Sequence, residues 1–360
     1  MKKSSGVLAV LSLVAAAAHA QSSVTVYGRV DLGLVLDSGN PAGKSVRLSN
    51  GVTGGSRLGF KGMEDLGGGT KAAFQLETGL CPDSAASTGS PGTVSASGTV
   101  VGSNFCTGGG FMGRQAHLDL MGAFGIVSAG RQYSLGFNNL ASIDPFGAAW
   151  AGNSINTDGA GNYLVDASGV RLNNSVTYTT PAFSNVTASV EVALGETTGN
   201  ARASRETGAA VIYAKGPAYA GVSYYEVANP NGQGTARRNA LAGGTYDFGV
   251  AKIHALVQKV TGDPTGAPSQ DILNLLGGAT VPVAGGFLMA SYIHHDDHTS
   301  LNRDANQWSG AYQYLLSKRT SLYVAYARIK NDNGANFHVG NATEVGTGNK
   351  GFDLGVAHNF

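Results

Sequence analysis

The sequence predicts an all-β fold: a transmembrane antiparallel β-barrel of sixteen strands, with its long third loop folded into the lumen. Three observations carry that reading. Stretches of strand length alternate apolar and polar side chains, seven short turn signals alternate with long loops, and no stretch approaches the ~20 apolar residues that a spanning helix needs. A chain without such a helix can cross a membrane only as a closed sheet, because lipid leaves no partner for an unpaired backbone N–H or C=O.

The chain begins with an export pattern. Lys2 and Lys3 precede an apolar, small-residue stretch over 6–18, and Ala18-His19-Ala20 is a small-x-small cleavage site, so 1–20 read as a removed signal and 21–360 as one barrel domain. Composition agrees with the barrel. Glycine supplies 54 of 360 residues, charged residues only 13%, and mean hydropathy is close to zero at −0.03. There is no Gly-x-y repeat, which excludes collagen, and 42% apolar residues exclude disorder. Without Lys2 and Lys3 the 24 basic residues become 22 against 23 acidic ones, so no basic surface argues for nucleic acid.

The first strand sets the pattern. Over 24–36 the even positions Val24, Val26, Val30, Leu32, Leu34 and Leu36 are apolar, while Thr25, Tyr27, Arg29 and Asp31 share the other face. Ala72, Phe74 and Leu76 stand in the same way against Lys71, Gln75 and Glu77, and Val186, Ala188, Val190, Val192 and Leu194 against Thr187, Ser189 and Glu191. The last strand, 351–360, turns Phe352, Leu354, Val356, His358 and Phe360 outward and must meet the first.

Short turns fall at 65–69, 122–125, 181–185, 216–218, 246–249, 284–286 and 317–319, with long segments at 81–110, 132–169, 229–235, 262–269 and 331–348. Seven hairpins plus the first and last strands make sixteen. Short turns belong to the periplasmic side of such barrels and long loops to the outside. The segment around 132–169 is too long for an ordinary connection and too rich in aromatics (Tyr133, Phe137, Phe146, Trp150, Tyr163) for a solvated linker. It shows no regular apolar periodicity, and no window of the chain predicts a helix. The expectation is that it folds inward and narrows an aqueous channel.

Other signals are weaker. Cys81 and Cys106 lie in one Gly/Ser/Thr-rich segment, and export to an oxidising compartment favours a single disulfide between them, the alternative being two free thiols. His294, His295, Asp296, Asp297 and His298 are consecutive and cannot all point at one ion, so they read as a solvated loop and not a metal site. Gly67, Gly68 and Gly69 make a turn with no following Lys-Ser/Thr, and no nucleophile elbow is present, so neither a cofactor nor an enzyme is expected.

Several motifs in order resemble the general porins of Gram-negative outer membranes, in particular the betaproteobacterial branch. They are Val24-Thr25-Val26-Tyr27-Gly28, Ser56-Arg57-Leu58-Gly59-Phe60-Lys61-Gly62, Phe74-Gln75-Leu76-Glu77, Gly113-Arg114-Gln115-Ala116, Gly130-Arg131-Gln132-Tyr133, Asp144-Pro145-Phe146-Gly147, Asn174-Ser175-Val176-Thr177-Tyr178 and the final Phe360. The resemblance covers the whole mature chain. It implies a homotrimer in the outer membrane among lipid and lipopolysaccharide, passing ions and small hydrophilic solutes, with Phe360 as an assembly signal.

It also implies wall arginines facing an acid on the third loop, here Arg57, Arg131 and Arg171 facing Asp144. Alternation places Arg57 with Gly59 and Lys61, and Arg171 with Asn173, Ser175 and Thr177; strict alternation turns Arg131 outward, so its inward placement needs an irregularity near the loop. The glutamate of the usual Pro-Glu-Phe-Gly-Gly is absent after Pro145, which weakens the acidic side. Arg29, Lys61 and Lys71 extend the basic wall, with Asp31 and Glu77 as counter-charges. Three arginines against one aspartate leave an excess of two, worth ~0.8 kcal/mol at ~10 Å in water, so weak anion selectivity is expected. A channel specific for small anionic solutes is the alternative.

Overall fold

In the computed structural model, residues 23–84, 93–94, 100–101, 111–158, 163–166 and 169–360 are described. The expected export signal, 1–20, and Cys106 lie outside them. Cys81 is buried and is not a free thiol.

The chain runs through β1 (Ser23–Asn40), β2 (Gly43–Asn50), β3 (Arg57–Gly67), β4 (Thr70–Gly79), a two-residue pair β5 (Thr93–Val94) and β6 (Val100–Val101), β7 (Gln115–Gly122) and β8 (Gly125–Tyr133). A helix α1 (Leu135–Ile143) follows, and then β9 (Arg171–Thr179), β10 (Val186–Ala193), β11 (Glu206–Lys215), β12 (Ala218–Ala228), β13 (Thr235–Asp247) and β14 (Lys252–Gly262). The wall ends with β15 (Gln270–Val283), β16 (Gly286–Asp297), β17 (Ala305–Leu315), β18 (Thr320–Asn331) and β19 (Lys350–Asn359). Every neighbour pairs antiparallel, and β19 returns to β1 in register from Arg29↔Asn359 to Ser38↔Lys350, which closes the barrel. β2 and β3 are one stave in two pieces, since β1 pairs with β2 along its far half and with β3 along its near half. Counted so, the seventeen strands of the wall make sixteen staves.

Alternation explains the two faces. Val24, Leu34, Val190, Leu354 and Val356 are exposed on the outside, whereas Asp31, Glu77, Glu191, Gln258 and Gln307 are buried on the opposite face. The seven turns fall where expected, between β3 and β4, β7 and β8, and onward to β17 and β18. At the seam, Gly28 and Phe360 exchange backbone hydrogen bonds of 3.0 and 3.1 Å. A Cβ on Gly28 would collide with the Phe360 ring, so only glycine fits there.

The expected absence of helix is corrected by α1. Ser134 caps it, accepting the Phe137 N–H at 3.0 Å while its own hydroxyl donates to Gly169 O at 2.7 Å. The Leu135 N–H, a free donor at a helix start, meets Glu191 Oε2 at 3.1 Å and the Tyr225 hydroxyl at 3.0 Å. Wall residues of β10 and β12 thus complete a helix that its sequence supports poorly.

Candidate functional site: an arginine cluster beside a hydrogen-bonded crossing segment

The segment between β8 and β9 is held by the polar face of the wall. Beyond α1, the Ile143 carbonyl accepts from His254 at 2.7 Å, and the Trp150 N–H donates to Val52 O at 2.8 Å. The Ala151 N–H donates to Asp353 at 2.9 Å, and Gln307 donates to the carbonyls of Gly152 and Asn153 at 2.9 and 3.1 Å. His295 donates to Leu164 O at 3.0 Å. Gln258 brackets Asp166, accepting from its N–H at 2.9 Å and donating to its carbonyl at 2.6 Å. These partners belong to strands from β14 to β19 and to the break between β2 and β3.

Asp144 is not the acid facing the arginines. It is buried, and its carboxylate accepts from the backbone N–H groups of Phe146 at 2.9 Å, Ala148 at 3.1 Å and Ser154 at 2.9 Å. It ties the turn after α1 into a knot in which Ala148 and Trp150 take positive φ of 56° and 67°. Burial pushes its carboxyl above the ordinary range, and the hydrogen bonds offset part of that. Its carboxylate is spent on the backbone of its own segment, which it holds in position.

The arginines divide. Arg57 lies 3.5 Å from Glu77, whose other oxygen takes the Arg114 Nε at 2.7 Å. Arg114 also donates to the Tyr133 hydroxyl at 2.9 Å, as does Arg171 at 2.7 Å, with its guanidinium 4.5 Å over the Tyr133 ring. Tyr133 in turn stacks on Phe137 of α1 at 5.0 Å. Arg29 is the register partner of Arg57 and pairs with Asp31 at 2.9 Å. Arg57, Arg114 and Arg171 are thus connected through Glu77 and Tyr133, and the Arg29–Asp31 pair stands beside them on the neighbouring strand.

Arg131 is corrected. Its partner across the ladder is Ala116, on the same face as exposed Leu118 and Leu120, so it shares the outward face and bonds Asn173 and Gly113 O, both at 2.5 Å. The irregularity exists, but in β9: two residues, Asn173 and Asn174, stand opposite Arg131, with Asn174 at a φ of 52°. The same extra residue overturns the alternation used for Arg171. Ser175 and Thr177 are buried, yet Leu172, not Arg171, continues their face. Arg171 reaches the cluster through Tyr133 instead.

Of the secondary charges, Lys61 lies 5.4 Å over the Tyr27 ring, whose hydroxyl donates to Glu77 at 3.0 Å, while Lys71 stands opposite Asp65 beside a short turn at the other end of the barrel. Sequence reasoning missed Arg114, although it stands in a quoted motif, because it precedes β7 by one residue and alternation says nothing outside a strand.

A family model described as Gram-negative porin matches residues 7–334. The chain is 33% identical over 376 residues to outer membrane porin protein 32 of Delftia acidovorans, which covers 100% of each chain. The solved anion-selective porin from Comamonas acidovorans has 28% identity and a TM-score of 0.76, covering 94% of this chain and 100% of that one. An outer membrane protein of Vibrio cholerae in its trimer form shares the fold, with a TM-score of 0.63 at 15% identity over 94% of this chain and 99% of its own.

Proposed function

The chain belongs to the Gram-negative porin family, and from that premise we propose that the segment between β8 and β9 narrows its passage while Arg29, Arg57, Arg114 and Arg171 give it a weak preference for anions. As a member of this family it is an outer-membrane diffusion channel. The observation that carries the selectivity is the contact chain through Glu77 and Tyr133, in which three guanidinium groups meet one carboxylate, with the Arg29–Asp31 pair beside it across the ladder. The acid that would have balanced them, Asp144, is turned away.

An excess of two charges at ~10 Å in a water-like medium is worth ~0.8 kcal/mol, about a fourfold bias toward anions before screening. A Debye length of ~8 Å at physiological salt lowers it further. Small hydrophilic solutes then pass by diffusion, sorted by width first and by field second. The anion-selective relative supports this sign. The test is the reversal potential of the refolded protein in a planar bilayer under a salt gradient: an anion-selective sign is expected, and a cation-selective sign overturns the assignment.

Assembly belongs to the same reading. The trimer form of a protein of like fold supports a homotrimer, with outer-membrane lipid and lipopolysaccharide against the exposed apolar face. Removal of 1–20, a Cys81–Cys106 bond and a role for Phe360 in assembly complete it.

A further inference from the structure

Residues 332–349, between β18 and β19, hold no helix or strand. Phe337, Val339 and Thr343 are nevertheless buried. Val339 sits on the inner side of β19 at Gly351, where a Cβ would come within 2.5 Å of its Cγ1 and 3.8 Å of the Ala151 Cβ. The stretch therefore lies inside the wall, against the segment that crosses between β8 and β9.

It is fastened on two sides. Toward the wall, Arg47 of β2 donates from Nε to Glu344 at 2.7 Å and from Nη1 to Asp37 of β1 at 2.5 Å. Ser49 donates to the same Glu344 oxygen at 2.7 Å, the Thr347 N–H donates to Asp37 at 3.0 Å, and Asn341 donates to Ser49 at 2.8 Å. Toward the crossing segment, the Gly340 N–H donates to Asn156 Oδ1 at 2.8 Å and the His338 N–H to Thr157 O at 3.0 Å. Asn156 is the joint, since its Nδ2 also donates to Gln307 of β17 at 2.8 Å and to Ala151 O at 3.0 Å.

We propose that residues 332–349 are a second inward strap that clamps the crossing segment across the lumen and sets the width of the passage, with the Arg47–Glu344 pair as its releasable fastening. This rests on the reading of the chain as a channel narrowed by that segment, and it assigns the width to two stretches together. The two fastening points differ in kind. Asp37 is 1% exposed and holds firmly, whereas the Arg47 and Glu344 side chains are 24% and 27% exposed, and a wetted pair of this sort is weak and sensitive to salt.

The experiment compares single-channel conductance of the full refolded protein, of Glu344→Ala, and of Glu344→Ala combined with Ser45→Cys and Thr347→Cys joined by a mild oxidant. The two hydroxyl oxygens stand 3.1 Å apart, within reach of a disulfide. Glu344→Ala is expected to raise conductance roughly 1.5- to twofold, with larger current fluctuations, and the pinned variant to return to the native value. Should Glu344→Ala not refold, Glu344→Gln takes its place, because it keeps an acceptor for Ser49 and loses only the charge. Native conductance in the unpinned variant, or a rise that pinning does not reverse, overturns the strap. Arg57→Gln in the same bilayers separates the two readings: if it shifts the reversal potential while Glu344 does nothing, only the strap fails, and if neither responds, the channel reading fails with it.

Discussion

The two halves of the barrel present different inner faces. From β1 to β4 that face carries Arg29, Asp31, Arg57, Lys61 and Glu77, which bind mainly each other and their neighbouring rings. From β12 to β17 the groups that hold the crossing segment are mostly uncharged: Ser223, Asn239, His254, Gln258, His295 and Gln307 are spent on it or on one another, and Arg237, 3.1 Å from Asp166, is a charged one among them. A neutral amide can both donate to and accept from a backbone, as Gln258 does at Asp166, without adding a charge to the passage. The difference fits two tasks: the mostly neutral half holds the crossing segment in place, and the charged half is the proposed source of the field.

Cuts on the neutral half are expected to change stability and width but not the sign of selectivity. The largest effect is expected from Asp144→Ala, which leaves three buried N–H groups without acceptors at ~1–3 kcal/mol each. Its readouts are a lower denaturation midpoint and a noisier, higher conductance with an unchanged reversal-potential sign; a native midpoint would show that the knot bears no load. Outside that half, after β4, Cys81→Ser should lower stability by about 2–4 kcal/mol if the bond to Cys106 forms, and intact mass under alkylation, which counts free thiols, rejects the bond if both cysteines label in the native protein. Gln258→Leu, which strips both bonds to Asp166, should lower thermal stability by ~1–3 kcal/mol, and a midpoint equal to the native one would contradict the anchoring role.

Cuts on the charged half are expected to do the reverse. Arg57→Gln removes one fixed charge worth ~0.4 kcal/mol, so the anion-to-cation permeability ratio should fall roughly twofold with little change in stability. An unchanged ratio would detach the cluster from selectivity. The smallest effect concerns His338 in 332–349. Burial lowers its pKa below 6.5, against opposing pulls from the Gly346 backbone and from Asp158 and Asp37. A lowered folded value means that the stabilising contribution is complete above 6.5 and is lost as pH falls through and below it, so current fluctuations should grow in mildly acidic buffer and shrink in His338→Gln. Noise that does not vary between pH 7 and 5 would exclude it.

The wall was legible because its signal repeats every two residues and each strand reports it independently: Val24, Leu34 and Leu354 lie outside as their positions require. What depends on one extra residue was not. Asn173 and Asn174 share a single ladder position, and that shift moved Arg171 off the face that alternation had given it. Helix α1 was hidden for another reason. Nine residues containing Gly136, Asn138 and Asn139 have low intrinsic helicity, and the contacts that hold them come from Glu191 and Tyr225, far along the chain. Asp144 was recognised as an acid, but its partners are backbone N–H groups, whose placement no side-chain pattern reveals.

The gap between β2 and β3 has a mechanical meaning. Across residues 51–56 the ladder to β1 lapses, and Asp31 takes over: its carbonyl receives the Gly51 N–H at 2.8 Å, its carboxylate the Thr53 N–H at 2.9 Å, and its own N–H goes to Ser56 Oγ at 2.9 Å. One residue thus bridges a break in an otherwise continuous hoop, in the way an expansion joint bridges two spans, and the crossing segment docks on that joint through Val52. A change at Asp31 therefore acts on the broken stave and on the attachment of the crossing segment together.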